Sequence, residues 1–220
     1  MDNSRINNKW LVAKEGIPFI VVSSGLAILL ACLGLLSLSI FAGAVALFIL
    51  FFFRDPERGQ DPGDDAAVLT PADGRILEVT HLDGSDNPLG QETVKVSIFM
   101  SIFNVHVNRV PIGGTIETIT YHPGKFFSAN LDKASKQNEN NRITLTTADS
   151  KRIAFVQIAG FIARRIACWI EKGDRVNTGQ RFGLIRFGSR LEVYLPANSR
   201  IAVQAGQHVK AGETIIGYLI

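Results

Sequence analysis

Phe51-Phe52-Phe53-Arg54-Asp55-Pro56-Glu57-Arg58 is the junction at which this 220-residue chain changes character. Upstream of it, Gly16 to Phe53 forms 38 consecutive residues without Asp, Glu, Lys or Arg. A helix that crosses a bilayer needs about 20 apolar residues, so the run is nearly two spans long. Gly34, Ser37 and Ser39 lie near its middle and suit a tight turn between two helices. Arg5, Lys9 and Lys14 precede the run, and Arg54 and Arg58 follow it. Lys and Arg flanks prefer the cytoplasmic side, which two passes satisfy and a single long tilted helix does not. The apolar core of a cleaved signal peptide, roughly 7–15 residues, is far shorter. The expectation is an α-helical membrane hairpin within residues 1–53. It would anchor the rest of the chain, 54–220, on the cytoplasmic side of the cell's inner membrane.

Downstream, Asp55-Pro56 and Asp61-Pro62-Gly63 read as a polar linker. Beyond it come short runs rich in Val, Ile, Thr and Phe, bounded by Gly, Pro, Asn or Asp. They predict strands over 75–80, 93–102, 104–110, 114–121, 142–146, 153–159, 166–169, 181–187, 190–195, 201–205 and 214–219. Only 128–141 reads as polar, a short helix and loop. The fold class is mainly β, a compact sandwich or barrel preceded by the hairpin. Gly173-Asp174-Arg175-Val176-Asn177-Thr178-Gly179 and Gly206-Gln207-His208-Val209-Lys210-Ala211-Gly212 share the pattern Gly-x-x-Val-x-x-Gly. Such turns resemble those of biotinyl/lipoyl-like barrel-sandwich domains, a likeness of scaffold that names no function.

Composition narrows the functions. A hydrophobic fraction of 46% excludes a disordered chain, and a net charge of +3 gives no reason to expect nucleic acid as a partner. Cys32 and Cys168 are too few for a disulfide scaffold, and no ligand spacing for a metal occurs.

Gly188-Ser189 lies between two predicted strands, where such a pair is ordinarily a turn. It also permits chemistry. Glycine leaves its carbonyl sterically open, so the Ser189 hydroxyl can attack it and convert the amide into an ester. β-Elimination from that ester breaks the chain and leaves dehydroalanine, which hydrolyses to a pyruvoyl group. The step needs a base and a fixed turn.

Five motifs occur in order: Phe52-Phe53-Arg54-Asp55-Pro56-Glu57-Arg58, Pro71-Ala72-Asp73-Gly74, Phe103-Asn104-Val105-His106-Val107-Asn108-Arg109-Val110-Pro111, Tyr121-His122-Pro123-Gly124-Lys125-Phe126 and Phe187-Gly188-Ser189-Arg190. Together they resemble the short prokaryotic form of the phosphatidylserine decarboxylase proenzymes, over nearly the whole chain. The resemblance implies self-cleavage at Gly188-Ser189 into a β chain, 1–188, and an α chain, 189–220, that stay associated. It implies a covalent pyruvoyl cofactor derived from Ser189. The amine of phosphatidylserine in the bilayer would form a Schiff base with it and lose carbon dioxide, giving phosphatidylethanolamine.

Asp73 matches the aspartate that the family uses with a histidine and the serine in self-cleavage, where it would orient the histidine. Other members carry two histidines three residues apart. His106 matches the first, and Arg109 stands at the second. Either His106 serves both cleavage and decarboxylation, or His122 supplies the cleavage base. In an extended strand Asn104, His106 and Asn108 share one face, which favours His106 as a site residue. Arg190, an obligate cation next to Ser189, is a candidate contact for the substrate phosphate or carboxylate. Phe126 and Phe127 are candidates to line an apolar pocket. His81 and His208 lie in polar, turn-like surroundings and read as surface residues. A homodimer is the expected assembly.

Other classes remain open. A membrane-tethered biotinyl/lipoyl-like carrier or adaptor would use the glycine repeat and Asp132-Lys133-Ala134, which resembles a lysine turn. A soluble-type pyruvoyl decarboxylase acting on an amino acid would have no use for the hairpin. A family descendant that has lost self-cleavage would owe this to Arg109.

Overall fold

A computed structural model describes residues 11–58, 62–129, 131–161, 165–186 and 188–220. Among them the chain divides into two compact units, residues 11–57 and 58–220. The first is a helical hairpin. Helix α1 (Ile17–Cys32) and helix α2 (Leu36–Phe52) are joined by a turn at Gly34, whose φ of +75° is readily adopted only by a residue without Cβ. The Ser39 hydroxyl donates to the Ala27 carbonyl at 2.8 Å and ties the two helices together. A single long helix is thereby excluded.

With the 3-10 turn before α1, Lys14–Cys32 is 19 residues, long and apolar enough to cross a membrane, and α2 is a shorter apolar helix. Val22 and Ile28 are 71% and 65% exposed, as are many of their neighbours. Water disfavours such a surface by about 25 cal/mol per Å². An apolar helix with this exposure fits association with a membrane rather than a place in a soluble core.

The second unit is built of antiparallel strands. Three of them, β1 (Ala67–Leu69), β2 (Gly74–Leu82) and β3 (Thr93–Met100), come first. Then follow β4 (Val107–Arg109), β5 (Gly114–His122), the short helix α3 (Asp132–Gln137), β6 (Asn140–Thr146) and β7 (Arg152–Ala159). The last are β8 (Ile166–Cys168), β9 (Arg175–Val176), β10 (Arg181–Ile185), β11 (Ser189–Pro196), β12 (Arg200–Ile201), β13 (His208–Val209) and β14 (Ile215–Tyr218). Eight strands form one curled sheet in the order β13-β2-β3-β11-β7-β6-β5-β9, and β4-β10-β8 and β1-β14-β12 form two smaller sheets. The class expected from sequence, mainly β with an apolar helical N-terminus, is the class observed.

Alternation along the strands explains the layering. Val96, Ile98 and Met100 of β3 share the core with Leu191, Val193 and Leu195 of β11, and with Ile153 and Phe155 of β7. The residues between them face outward. Strands expected over 93–102 and 104–110 prove shorter, because a turn intervenes. Asn104 Oδ1 accepts from the Ser101 amide at 2.9 Å and its hydroxyl at 2.8 Å. Strand β1 escaped the sequence reading. It is three residues long and exists through its pairing with β14. Of the expected strand 181–187, Phe187 lies outside the described residues. The two Gly-x-x-Val-x-x-Gly segments behave as a true repeat, with φ near +90° and +70° at the first and last glycine of each.

Candidate functional site

Strand β11 begins at Ser189 and runs between β3 and β7, the most enclosed place in the sheet. Ser189 pairs with Met100 on one side and Ala159 on the other, and is fully buried. Directly opposed residues of an antiparallel ladder point to one face, so these three side chains share the inner face of the curled sheet. The Ser189 hydroxyl donates to Met100 Sδ at 3.3 Å. Just before it, Gly188 has φ +69°, a left-handed turn that costs other residues about 1–2 kcal/mol. Its carbonyl packs against Gly160, where an added Cβ would lie 2.1 Å from the Gly188 oxygen. The peptide that precedes Ser189 is thus fixed by a glycine on each side.

A chain of buried amides runs behind the serine. Asn141 Nδ2 donates to Gln157 Oε1 at 3.1 Å, Gln157 Nε2 to Asn108 Oδ1 at 2.9 Å, and Asn108 Nδ2 to Met100 Sδ at 3.7 Å. Each carbonyl oxygen is taken by the preceding amide, which orients the Asn108 NH2 toward the sulfur that also receives the Ser189 hydroxyl. Sequence reasoning put Asn108 on the His106 face and missed the others. The signal was a glutamine inside the apolar run 153–159.

His106 is fully buried beside β4, which pairs with β10. Its Nδ1 lies 2.9 Å from the Asn104 carbonyl oxygen. A carbonyl only accepts, so Nδ1 carries the hydrogen and Nε2 the lone pair. Phe126 packs with Ala159, Ile185 and Ile166 in a small apolar cluster adjoining the Ser189 pairing. Asn138 ties this loop down: it donates to the Phe127 and Ala159 carbonyls and accepts from the Phe127 amide.

Three sequence-derived candidates have partners of their own. Asp73 is gripped by Arg58, Nη1 to Oδ1 at 2.8 Å and Nη2 to Oδ2 at 3.0 Å, and accepts the Ala211 amide at 2.8 Å. Both carboxylate oxygens are therefore taken, and among the described residues no histidine is their partner. Asp73 fastens Arg58 to the β13–β14 turn, beside the Pro71 carbonyl that receives the Arg109 amide.

His122 pairs across the sheet with Asn140, in the row that continues through Ile158 to Arg190. That row faces the opposite side of the sheet from Ser189, so His122 is not brought to the serine. Burial, then the nearby Arg142 cation, hold its pKa below the usual value.

Arg190 likewise points outward, as the residue next to Ser189 in a strand must. Its Nη2 meets Glu78 Oε1 at 2.7 Å and Ser97 Oγ at 2.8 Å, and its Nε meets Glu192 Oε1 at 2.8 Å. It serves two carboxylates of the sheet rather than a ligand beside Ser189. His81 and His208 are exposed, as expected. Among the described residues no cluster of His, Cys, Asp and Glu could hold a metal ion. Asp132–Ala134 opens helix α3 instead of forming a turn between strands, so it lacks the geometry of a carrier lysine loop.

A β domain with a buried serine behind a left-handed glycine defines the class of protein, and comparison with known proteins narrows it. The family model for phosphatidylserine decarboxylase matches residues 45–217. Phosphatidylserine decarboxylase proenzymes of Syntrophus aciditrophicus and Desulfotalea psychrophila are 50% and 48% identical over 208 and 209 residues, covering 94% and 95% of this chain and 96% and 97% of theirs. That of Geotalea uraniireducens is 45% identical over 213 residues, 97% of this chain and 99% of its own. The chain belongs to the phosphatidylserine decarboxylase family, a family of carboxy-lyases made as proenzymes.

Proposed function

We propose that the chain is a self-processing, membrane-held phosphatidylserine decarboxylase that cuts itself between Gly188 and Ser189. The observation that carries this reading is the Gly188-Ser189 peptide itself, with its left-handed glycine, its packed carbonyl and its buried hydroxyl at the head of a central strand.

Ser189 Oγ attacks the Gly188 carbonyl carbon, the C–N bond breaks, and the amide becomes an ester with the amine freed. Removal of the Ser189 α-proton expels Gly188 as a carboxylate that keeps Oγ. The resulting enamine becomes an imine, and water replaces its nitrogen, which leaves as ammonia. The residues present fit the product: a small, planar dicarbonyl at position 189 occupies the serine's own volume, next to Met100 and the Asn108 amide. The pyruvoyl carbonyl supplies an electron sink for a bound amine.

His106 is the group that holds and delivers protons, in cleavage and in decarboxylation, because His122 faces away. Its Nδ1–H bond to Asn104 fixes the ring and makes Nε2 the working nitrogen. The apolar cluster of Phe126, Ala159, Ile166 and Ile185 favours departure of a charged carboxylate by excluding water. After cleavage the short chain remains part of the fold, because β11 is laddered to β3 over eight residues and to β7 over six. The hairpin keeps the enzyme where its lipid substrate resides, with both hairpin ends on the cytoplasmic side.

Denaturing intact-mass measurement of the purified protein tests the reading. Two chains meeting at Gly188/Ser189 are expected, the smaller lighter than a serine-started fragment by one ammonia, because the water lost in elimination is regained when the nitrogen is hydrolysed off. A single uncut chain in active, folded material would overturn it.

The glycine at 160 offers a second test. Gly160→Ala puts a methyl against the Gly188 oxygen and must shift that carbonyl. A misplacement of about 1 Å costs reactions on the order of 100-fold. Self-cleavage of the variant, followed as cut fraction against time, is expected to slow by about that factor while the sheet still folds.

A further inference from the structure

The exposed apolar residues of the 58–220 unit are not scattered. Among its described residues the large ones are Phe103 (65% exposed), Tyr121 (54%), Leu131 (43%), Phe161 (72%) and the C-terminal Ile220. The first four lie at one edge of the eight-stranded sheet. β3 ends at Met100 and leads into the turn that carries Phe103. β7 ends at Ala159, two residues before Phe161. Tyr121 is in the last two residues of β5, and Leu131 is in the connection from β5 to β6. This is also the edge at which β11 begins with Ser189. Gly160 packs on Gly188, and Asn138 joins the Phe127 loop to Ala159, so the loops converge on the scissile peptide.

These exposed side chains come with positive charge. Lys125 and Arg165, in the same connections, are exposed. By sequence, residues 123–139 and 160–165 hold five cations (Lys125, Lys133, Lys136, Arg164, Arg165) against Asp132 and Glu139. Aromatic and aliphatic tips among Lys and Arg are the composition that beds into the headgroup layer of an anionic bilayer.

We propose that these loops are a second membrane-contacting surface, through which the catalytic unit itself dips into an anionic lipid bilayer around the entrance to Ser189. The inference rests on the decarboxylase reading, because it explains how a headgroup that stays at the bilayer surface reaches a serine buried in a β-sheet. The hairpin holds the chain to the membrane; the loops set the mouth of the site against the lipid.

The test uses the full chain. Phe161→Trp in vesicles of phosphatidylglycerol and phosphatidylcholine brominated on the acyl chains is expected to add tryptophan emission that the bromines quench, relative to the unmodified chain with Trp10 and Trp169. His81→Trp, on an exposed part of β2, is expected to add emission that they do not quench. This readout needs no catalysis. In parallel, Phe103→Ser/Phe161→Ser is expected to cleave itself fully and to turn over a monomeric short-chain phosphatidylserine at the unmodified rate. On phosphatidylserine in vesicles its KM should rise several-fold. Unquenched emission at position 161 overturns the proposal, whether the loops face water or another protein. Equal loss on monomeric and vesicle substrate also overturns it, since the two phenylalanines would then act on the site itself. If the unmodified chain turns over neither substrate yet position 161 is quenched, the decarboxylase reading fails and the membrane surface stands.

Discussion

Ser189→Ala is expected to yield one uncut 24.0 kDa chain with no decarboxylation at all. The loss is absolute in kind, because alanine has no oxygen on Cβ: no ester can form, none can be eliminated, and no carbonyl group arises at position 189. Removal of a group that only assists would leave residual turnover; removal of the atom that becomes the leaving oxygen leaves none. The fold should be indifferent. The hydroxyl makes one contact to a sulfur, a weak acceptor, at 3.3 Å, and an ordinary buried hydrogen bond contributes only about 1 kcal/mol. Alanine fits the same place between Met100 and Ala159. Intact mass, a phosphatidylethanolamine assay and a thermal melt on one preparation read all three consequences. A cut chain, or turnover by the uncut one, would sink the mechanism.

The variant also separates two roles for His106. His106→Ala that stays uncut would share the Ser189→Ala phenotype, whereas a cut but inactive protein would confine His106 to decarboxylation.

What the sequence disclosed follows from what is local in it. The uncharged run 16–53 and its central glycine gave the hairpin because length and hydropathy are properties of a segment. The alternation in 93–100 and 190–195 gave strands, since a half-buried strand carries its period in its own residues. Gly188-Ser189 was legible because its chemistry belongs to two adjacent residues.

Long-range partnerships are of another kind. Arg190 was assigned to the site by adjacency to Ser189, although neighbours in a strand face opposite ways, and the same period sends His122 to the outer row. The resemblance gives Asp73 a histidine to orient; the fold also gives it Arg58, which no local pattern pairs with it. Gly160 and Gln157 matter through ladder register alone. Pairings of this sort depend on where distant strands meet, and a single sequence carries no mark of that.

The outer row yields the largest expected effect on stability. Arg190 and Glu192 are each 1% exposed at the side chain and lie on the solvent-averse outer face of the central strand. Arg190 bridges Glu192 to Glu78, whose other cationic partner is Lys95 at 2.8 Å, and Glu192 accepts from Ser135 and Tyr194 hydroxyls at 2.6 Å. Burial alone would raise the Glu78 pKa; hydrogen bonding and charge from Lys95, then the charge of Arg190, bring it below the ordinary carboxylate value.

Arg190→Leu fills much of the volume but strands the Glu192 carboxylate without a cation. Breaking a buried pair from one side costs about 3–5 kcal/mol. At roughly 2–4 °C per kcal/mol for a domain of this size, the melting temperature should fall by about 6–20 °C. Arg190→Lys, which keeps the charge and loses the fork, should fall between the two.

The pH dependence checks the cause. A carboxylate whose folded pKa is depressed lends stability above its unfolded pKa, and that stability is lost as pH falls through the folded value. The gap between the unmodified protein and Arg190→Leu should therefore be full at neutral pH and shrink as pH falls below the ordinary glutamate value, where Glu78 takes up its proton. A gap that persists undiminished in acid would mean that Arg190 stabilises by packing its stem and not by its charge. Because Ser189 begins the same strand, the destabilised variant should also cleave itself more slowly at elevated temperature, and at low temperature should still yield the two chains.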